Sequence, residues 1–347
     1  MSQKVLVVDD SPFIRRIISD WIKGENDLEF VGSASNGREA VEMAARLKPD
    51  VITLDVEMPV MDGLTALRQI MKDCPTAVIM VSSVTSQGAS ATISALEAGA
   101  LDFVTKPEGS TSIKVISCKA ELLQKIRASK GAKLGAGPSL KLVKSAAPVI
   151  RTTTDKVVVI ASSTGGPKAL TALWHTLPKG FPAPILIVQH MPQGFTESFA
   201  KRLDSIGTVP CKEAKAGDHI VPGLALLAPG GWHMTVGKNG HIELNDKPIL
   251  HGTRPAADYL FDSALQHFGG KRLVGAVLTG MGKDGAAGAA GIVAAGGKVF
   301  GENEASCTIY GMPKAALQAG GITREMPIEE IGKALTEALE GRIANAS

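Results

Sequence analysis

The sequence predicts an α/β protein of two domains, each built around a mostly parallel sheet. Three observations predict this fold class. The chain has 347 residues, more than one compact core ordinarily takes. Short apolar runs alternate with helical patterns along the chain, and parallel strands need such crossover connections. The 38 glycines and the 4% of aromatic residues suit strands that end in tight turns.

Composition and charge exclude several classes of protein. Lys and Arg number 37 against 34 Asp and Glu, and this net charge of +3 does not by itself indicate nucleic-acid binding. The sequence has no signal-peptide pattern and no apolar run of about 18 residues, so we expect neither export nor membrane insertion. The four cysteines lack CxxC spacing, which favours a reducing compartment. We therefore expect a cytoplasmic protein with no nucleic-acid partner.

Five pairs of a strand and a helix are predicted between residues 4 and 128. In order they are Lys4–Val8 and Phe13–Trp21, Phe30–Ala34 and Arg38–Leu47, Val51–Leu54 and Leu64–Met71, Ala77–Val81 and Gly88–Leu96, and Leu101–Val104 with a helix near Ile113–Ile126. This alternation predicts a parallel sheet with helices on both faces. In such sheets the functional groups collect beyond the carboxyl ends of the strands.

Charged and polar side chains follow four of these five strands. Asp9 and Asp10 end the first strand, Asp55 the third, Ser82 the fourth and Lys106 the fifth. Three carboxylates at one edge suit Mg²⁺, which prefers oxygen ligands together with water and phosphate. A hydroxyl and an ammonium group beside them suit a transferred phosphoryl group. Each residue alone is typical of a helix cap or a turn, but their joint placement indicates a site.

These residues lie in motifs that resemble those of response-regulator receivers. The motifs are Val8-Asp9-Asp10-Ser11, Leu54-Asp55-Val56-Glu57-Met58-Pro59, Met61-Asp62-Gly63, Val81-Ser82-Ser83 and Asp102-Phe103-Val104-Thr105-Lys106-Pro107. The resemblance implies a flavodoxin-like, five-stranded parallel sheet with the strand order 2-1-3-4-5.

The receiver resemblance also implies a phosphorylation site. It implies that Asp55 accepts a phosphoryl group from a histidine kinase, and that Mg²⁺ is held by Asp10, Asp55 and the main-chain carbonyl of Glu57, with Asp9 acting through water. The residues expected to rearrange as a switch are Ser82, Phe103 and Lys106. Phe103 stands where many receivers carry tyrosine, and it cannot donate a hydroxyl hydrogen bond.

The domains are predicted to be joined by a flexible linker. The receiver is expected to cover residues 1–128, the linker residues 129–154 and the second domain residues 155–347. Between residues 110 and 150 the sequence has eight Lys or Arg and one acidic residue. A solvated tether and a segment that binds an acidic surface are both consistent with this composition.

The second domain is predicted to be a mostly parallel, doubly wound sheet with an antiparallel portion. Its parallel strands are expected at Val157–Ala161, Pro184–Gln189 and Leu273–Leu278, with helices from Pro167, near Phe195–Leu203 and after Gly285. Shorter strands around Ala225–Ala228, Met234–Val236 and His241–Leu244 are predicted to form an antiparallel insertion or edge.

Reactive side chains again follow the strands. Ser162 or Ser163 follows the first strand of this domain, His190 the second and Asp284 the Leu273–Leu278 strand. A hydroxyl, an imidazole and a carboxylate at one edge are the groups that a serine hydrolase needs. On spacing alone, the turn could instead cap the helix or bind a phosphate or nucleotide at its N-terminus.

A glycine-rich loop, Thr279-Gly-Met-Gly-Lys-Asp-Gly285, follows the same strand as Asp284. Backbone N–H groups in such a loop can point inward. Those of Met281 and of Thr164, beside Ser163, are candidates for an oxyanion hole, which stabilises charge as it develops.

The second domain resembles the catalytic domain of the chemotaxis protein-glutamate methylesterases, the CheB family. The resemblance rests on Ile160-Ala-Ser-Ser-Thr-Gly-Gly166, Gln189-His-Met-Pro-Gln-Gly-Phe195, Leu278-Thr-Gly-Met-Gly-Lys-Asp-Gly285 and Ala305-Ser-Cys-Thr-Ile-Tyr-Gly-Met-Pro313. It implies that Ser163 is the nucleophile, His190 the general base and Asp284 the carboxylate that orients it. The sequence departs from the family's Gly-Asp-basic-His stretch at Pro229-Gly-Gly-Trp-His233.

The two resemblances together imply an activity. We expect phosphorylation-activated hydrolysis of glutamate methyl esters on methyl-accepting chemotaxis receptors, with release of methanol and with deamidation of receptor glutamines. Mg²⁺ would serve receiver phosphorylation, and ester hydrolysis would need no cofactor. The unphosphorylated receiver is expected to cover the active-site cleft. A DNA-binding output and a catalytically inactive adaptor are the alternative functions.

Overall fold

The computed structural model describes residues 2–83, 85–106, 112–133 and 154–341. They belong to two compact units, with the division at Ser139 and Leu140. Most of the predicted linker, residues 134–153, lies outside the described residues. The predicted domain limits at residues 128 and 155 therefore stay predictions.

The first unit contains five strands and five helices among its described residues. The strands are β1 (Gln3–Val8), β2 (Leu28–Ala34), β3 (Val51–Asp55), β4 (Ala77–Ser82) and β5 (Asp102–Thr105), and the helices are α1 (Pro12–Lys23), α2 (Gly37–Leu47), α3 (Gly63–Asp73), α4 (Ser86–Glu97) and α5 (Ser112–Ala128). All strand pairs are parallel, and the sheet order is β2-β1-β3-β4-β5. This confirms the predicted order 2-1-3-4-5.

The connection from β3 to α3 fixes the main chain beside Asp55. Asp62 caps α3 by accepting a hydrogen bond from the Thr65 N–H at 2.8 Å. The next residue, Gly63, donates its N–H to the Val56 carbonyl, and a Cβ there would lie 1.9 Å from the Asp55 carbonyl oxygen. Only glycine therefore permits this close return of the loop onto the strand end.

The second unit contains nine strands and six α-helices among its described residues. The strands are β6 (Val157–Ser162), β7 (Ile185–Gln189), β8 (Cys211–Glu213), β9 (Ala225–Leu227), β10 (His233–Val236), β11 (Ile242–Asn245), β12 (Leu273–Val277), β13 (Lys298–Glu302) and β14 (Arg324–Met326). The helices are α6 (Gly166–Thr176), α7 (Phe195–Ile206), α8 (Ala257–Phe268), α9 (Ala286–Ala294), α10 (Met312–Gln318) and α11 (Ile328–Leu339), with a 3₁₀ turn at Gly270–Arg272.

Seven of these strands form one parallel sheet in the order β14-β13-β12-β6-β7-β9-β8, and β10 pairs with β11 in an antiparallel hairpin. The predicted mostly parallel sheet with an antiparallel portion is confirmed. The antiparallel assignment of the strand at Ala225–Ala228 was wrong, because β9 pairs in parallel with both β7 and β8. Its three residues are all buried, as in a parallel sheet, rather than alternating in burial.

The site-bearing strands lie at the centre of this sheet. Every residue of β6, β7 and β12 is buried, which explains their continuous apolar sequences. The chain leaves β6 toward β7 on one side and later returns as β12 on the other. Ligands bind at such switch points, beyond the carboxyl ends of the strands. No helix among the described residues is both long and apolar enough to span a membrane.

Candidate active site and receiver pocket

The two adjacent serines at the end of β6 have different environments. Ser162 is fully buried, and its hydroxyl donates to the side-chain oxygen of Gln189 at 2.7 Å. Ser163 is partly exposed at the turn. Helix α6 is capped by Gly165, at φ 78°, without a side-chain cap. The hydroxyl of Ser163 is therefore not used as a helix cap, and it is better placed than that of Ser162 to meet a substrate.

His190 and Asp284 form a hydrogen-bonded pair at the same edge of the sheet. His190 Nε2 lies 2.7 Å from Asp284 Oδ2. The N–H groups of Ala257 and Asp258 donate to Asp284 at 2.6 and 3.0 Å. Burial alone would raise the pKa of Asp284, but the hydrogen bond with His190 and these backbone donors lower it. An ionised Asp284 can hold a proton on His190 Nε2.

The arrangement leaves the other ring nitrogen of His190, Nδ1, for the nucleophile. The main chain holds the two strand ends together, because the His190 N–H donates to the carbonyl of Ser162, the residue before Ser163, at 3.0 Å. The structure has no hydrogen bond between Ser163 Oγ and the His190 ring. Such catalytic hydrogen bonds often tighten only when substrate binds. The structure brings Ser163, His190 and Asp284 to one edge of the sheet. Their predicted catalytic roles stay predictions.

The glycine-rich loop after β12 packs directly on the nucleophile turn. The Ser163 N–H donates to the Thr279 carbonyl at 3.0 Å. A Cβ on Gly280 would lie 2.7 Å from the Ser163 Cβ. The next N–H in the loop, that of Met281, makes no hydrogen bond within the described part of the chain. The Met281 N–H is thus available to an acceptor, and Thr164 is buried in the adjoining turn; the oxyanion role of both stays a prediction.

Three residues near the pair were not predicted from the sequence. Gln189 bonds to the main chain of both Ser163 and His190. The Thr253 hydroxyl lies 3.3 Å from His190 Nε2. Glu302, at the end of β13, accepts a hydrogen bond from the Thr279 N–H at 2.8 Å. The available signal was polarity, since a glutamine or glutamate that ends a buried strand needs partners.

Glu302 is a buried acid whose pKa is strongly raised. It is 1% exposed, and its second carboxyl oxygen accepts from the Ser306 hydroxyl at 3.1 Å. Burial raises the pKa of Glu302 to about 7, although the hydrogen bonds from Thr279 and Ser306 act in the opposite direction. This acid therefore holds the loop that in turn holds Ser163.

The first unit brings together the predicted acidic cluster and its lysine. Carboxylate oxygens of Asp9, Asp10 and Asp55 all lie within 4.8 Å of one another. Lys106 Nζ lies 2.7 Å from Asp55 Oδ2 and 3.0 Å from Asp9 Oδ2. Burial raises the pKa of Asp55 to about 6, while Lys106 opposes this rise and Asp9 adds to it. Burial alone would lower the pKa of Lys106, but Asp55 and Asp9 together raise it.

The donor set of this cluster fits a magnesium ion. All three side chains offer hard carboxylate oxygens, which Mg²⁺ prefers. The buried Asp9 Oδ2 accepts no hydrogen bond with suitable geometry from the described residues, in spite of its short distance to Lys106. That oxygen keeps lone pairs for a metal-bound water. The main chain of Glu57 lies beside the Asp55 carboxylate, since the Glu57 N–H donates to Asp55 Oδ1 at 3.3 Å.

The expected switch residues lie in or directly after β4 and β5. Ser82 is fully buried at the end of β4, and the Lys106 N–H donates to its carbonyl at 2.7 Å. The Phe103 ring is 2% exposed and thus already packed inside the unit. Lys125 Nζ donates to the Phe103 carbonyl and lies 5.4 Å from the centre of its ring. This contact of Lys125 was not predicted from the sequence.

Comparison with protein families matches both units. The family model of the CheB methylesterase matches residues 158–335, and the model of the response regulator receiver domain matches residues 5–116. The first of these models spans half of the chain and contains the Ser163, His190 and Asp284 positions. The chain belongs to the CheB methylesterase family.

Relatives of nearly the same length support the assignment to this CheB family. A "Protein-glutamate methylesterase/protein-glutamine glutaminase" of Pyrococcus abyssi is 45% identical, over 97% of this chain and 94% of the relative. A protein of the same name from Thermotoga maritima is 44% identical, over 96% of this chain and 98% of the relative. The crystal structure of the Thermotoga maritima CheB methylesterase catalytic domain matches with a TM-score of 0.51 and 41% identity, over 52% of this chain and 97% of that domain.

The stretch at which this CheB family member departs from the expected pattern has a structural part and an exposed part. His233 is fully buried; its Nδ1 accepts from the Ala256 N–H at 3.1 Å, and its Nε2 lies 3.2 Å from the Pro248 carbonyl. Burial lowers the pKa of His233, which keeps the ring neutral. Trp232 is 43% exposed and lines a cavity of about 350 Å³ together with Gln193, which lies in the loop after His190.

Proposed function

We propose that this protein is a phosphorylation-activated esterase that hydrolyses glutamate methyl esters on methyl-accepting chemotaxis receptors. It would act in the cytoplasm and also deamidate selected receptor glutamines. The hydrogen-bonded pair of His190 and Asp284, at the same sheet edge as the partly exposed Ser163, is the observation that carries this proposal. The names of these relatives, protein-glutamate methylesterase and protein-glutamine glutaminase, support the choice of substrate.

In the proposed reaction the ester undergoes acyl transfer to Ser163. Its Oγ attacks the carbonyl carbon while His190 Nδ1 accepts the hydroxyl proton, and the N–H groups of Met281 and Thr164 bind the oxyanion. The C–O bond to the methoxy group then breaks, and the leaving group takes the proton from His190 as methanol. Asp284 stabilises the imidazolium that forms between these steps.

Water completes the cycle. It attacks the acyl-enzyme while His190 accepts one of its protons, and the same proton returns to Ser163 as the glutamate is released. A glutamine side chain can follow the same route with ammonia as the leaving group. The ester hydrolysis proposed here uses only side chains and backbone groups of this chain.

Phosphorylation of the first unit would activate the second. Asp55 would take the phosphoryl group from a chemotaxis histidine kinase, and Asp10, Asp55 and the Glu57 carbonyl would hold Mg²⁺, with Asp9 acting through water. The bound ion would neutralise charge on the phosphoryl group. A phosphoryl group adds about 1.5 to 2 negative charges. Lys106, which lies 2.7 Å from Asp55, can follow this new charge.

The adjacent serines provide the test of the proposed hydrolysis. We expect Ser163→Ala to lower methanol release from methylated receptor membranes by about 10⁴-fold or more, since it removes the nucleophile. The matched variant Ser162→Ala should lower it by less than about tenfold, because this hydroxyl is buried in a hydrogen bond. Both are measured with a small phosphodonor and Mg²⁺ present. If Ser163→Ala kept its activity, the nucleophile would be wrong, and if the wild-type chain released no methanol, an inactive adaptor would be favoured.

A further inference from the structure

The side chain of Gln189 lies between the two strand ends that carry Ser163 and His190. It is 2% exposed. Its Nε2 donates to the Ser163 carbonyl at 2.9 Å and to the His190 carbonyl at 3.0 Å. Its Oε1 accepts the Ser162 hydroxyl at 2.7 Å. One buried amide thus joins the main chain of the proposed nucleophile to that of the proposed base.

The orientation of this amide is determined by its partners. Carbonyl oxygens only accept hydrogen bonds, so the nitrogen of Gln189 must face Ser163 and His190. A rotated amide would place Oε1 against both carbonyls and would remove a donor from each of them, which is costly. The Ser162 hydroxyl completes the arrangement by donating to Oε1. This gives the second serine of the pair a role that does not require contact with substrate.

Helix α6 packs so closely on the amide that no side chain fits between them. A Cβ on Gly166 would lie 2.0 Å from Gln189 Oε1 and 2.9 Å from the Ser162 Cβ. The Gly166 N–H also donates to the Ser163 carbonyl at 2.7 Å. Two donors, one from the helix and one from Gln189, therefore fix that carbonyl.

We propose that Gln189 is a positioning residue, whose amide sets the separation of Ser163 and His190 and thereby the rate of proton transfer between them. This inference rests on the proposed function of the two residues. A displacement of about 1 Å in such a pair costs on the order of 10²-fold in rate. Mere burial of this position would be served equally well by an apolar residue.

The isosteric variant Gln189→Glu tests this role. It places a carboxylate oxygen against two carbonyls and removes both donors. We expect kcat for methanol release to fall by about 10- to 100-fold, with KM within about threefold of wild type. Burial beside two carbonyls would raise the pKa of the new carboxyl, and its protonated form can donate one hydrogen bond. The ratio of variant to wild-type kcat should therefore rise as the pH is lowered.

Two further variants separate positioning from folding. Gln189→Met keeps the size of the side chain without an amide, and its lower kcat should show no recovery at low pH. Gln3→Glu is the matched control, since Gln3 is also buried in a strand, in β1, and donates to the Ser129 hydroxyl at 2.7 Å. We expect its kcat to match wild type at every pH. Thermal unfolding is recorded for all three variants.

A substrate-independent readout distinguishes failure of this inference from failure of the proposed function. In a Ser163→Cys background, iodoacetamide alkylates the introduced thiol, and the labelled peptide is quantified by mass spectrometry. Gln189→Glu should slow this alkylation and shift its pH profile, whereas Gln3→Glu should change neither. If the wild-type chain released no methanol, only the proposed function would be overturned, because the alkylation would still decide on Gln189. Wild-type kcat and alkylation in Gln189→Glu, or a loss that is the same at every pH, would overturn the positioning role.

Discussion

Asp284 shows how hydrogen-bond donors keep a buried carboxylate ionised. Its Oδ2 faces donors on His190 and Ala257, and its Oδ1 faces the N–H groups of Asp258 and Gly285. The amide of an asparagine would direct N–H groups at two of these donors. The carboxylate is therefore specific to this position.

The orienting role proposed for Asp284 can be tested by replacing its carboxylate alone. We expect Asp284→Asn to lower kcat for methanol release by about 10⁴-fold, because the wrong tautomer of His190 would then face Ser163. Asp20→Asn, on the surface of α1, is the control and should leave kcat unchanged. Steady-state kinetics and thermal unfolding of both variants check this. A stable Asp284→Asn protein with more than about a tenth of wild-type kcat would contradict the assigned role.

The pKa of Glu302 is shifted in the opposite direction to that of Asp284. Its folded value of about 7 lies above the ordinary 4.5, so the folded state binds the proton more tightly. This tighter binding of the proton stabilises the folded state fully below pH 4.5, and the stabilisation is lost as the pH rises through about 7. A difference of about 2.5 units corresponds to about 3 kcal/mol of unfolding free energy at most.

Glu302→Gln keeps an acceptor for the Thr279 N–H but cannot ionise. We expect the variant to gain unfolding free energy relative to wild type at pH 8 and to show no such gain at pH 4.5. Urea denaturation measures this by fluorescence of Trp174 and Trp232 in a Trp21→Phe background, which leaves both remaining tryptophans in the second unit. An equal difference between the two proteins at both pH values would show that Glu302 does not titrate in this range.

The ends of β3, β6 and β7 were predicted from the sequence, whereas the short strands β13 and β14 were not. Continuous apolar runs ended by Ser162, Gln189 and Asp55 predicted β6, β7 and β3, and with them the edges that hold both sites. Strand β13 ends in a buried glutamate, and β14 has three residues, so neither carries a clear apolar pattern. The contacts of Glu302 depend on β13 and therefore lay beyond the sequence prediction.

The loop between β12 and α9 packs tightly against the turn that carries Ser163. A Cβ added at Gly280 would lie 2.4 Å from Met312 Sδ and 2.7 Å from the Ser163 Cβ, so the loop must move away from the nucleophile. We expect Gly280→Ala to lower kcat by about 10²-fold through this displacement of the oxyanion loop. Gly24→Ala adds the same methyl group at 3.5 Å from its nearest neighbours and should leave kcat unchanged. Comparable kinetics for the two variants would show that the loop does not need this close contact.

The sequence motifs predicted the order of the two units along the chain, but they did not predict the local geometry within each unit. The five receiver motifs and the four methylesterase motifs appear in chain order, which fixed both fold and family. Distances such as that from His190 to Asp284 depend on loops whose course the motifs leave undetermined. The pairing of β9 in parallel likewise depends on its neighbours β7 and β8 rather than on its own three residues.

The proposed coupling of receiver phosphorylation to ester hydrolysis depends on Asp55. Methanol release from methylated receptor membranes would be measured with and without a small phosphodonor plus Mg²⁺, for the wild-type chain and for Asp55→Asn. We predict that the donor stimulates the wild-type chain and has no effect on Asp55→Asn, whose basal rate should equal that of the unstimulated wild type. Stimulation that persisted in Asp55→Asn, or a wild-type chain indifferent to the donor, would contradict a receiver that activates the esterase through this aspartate.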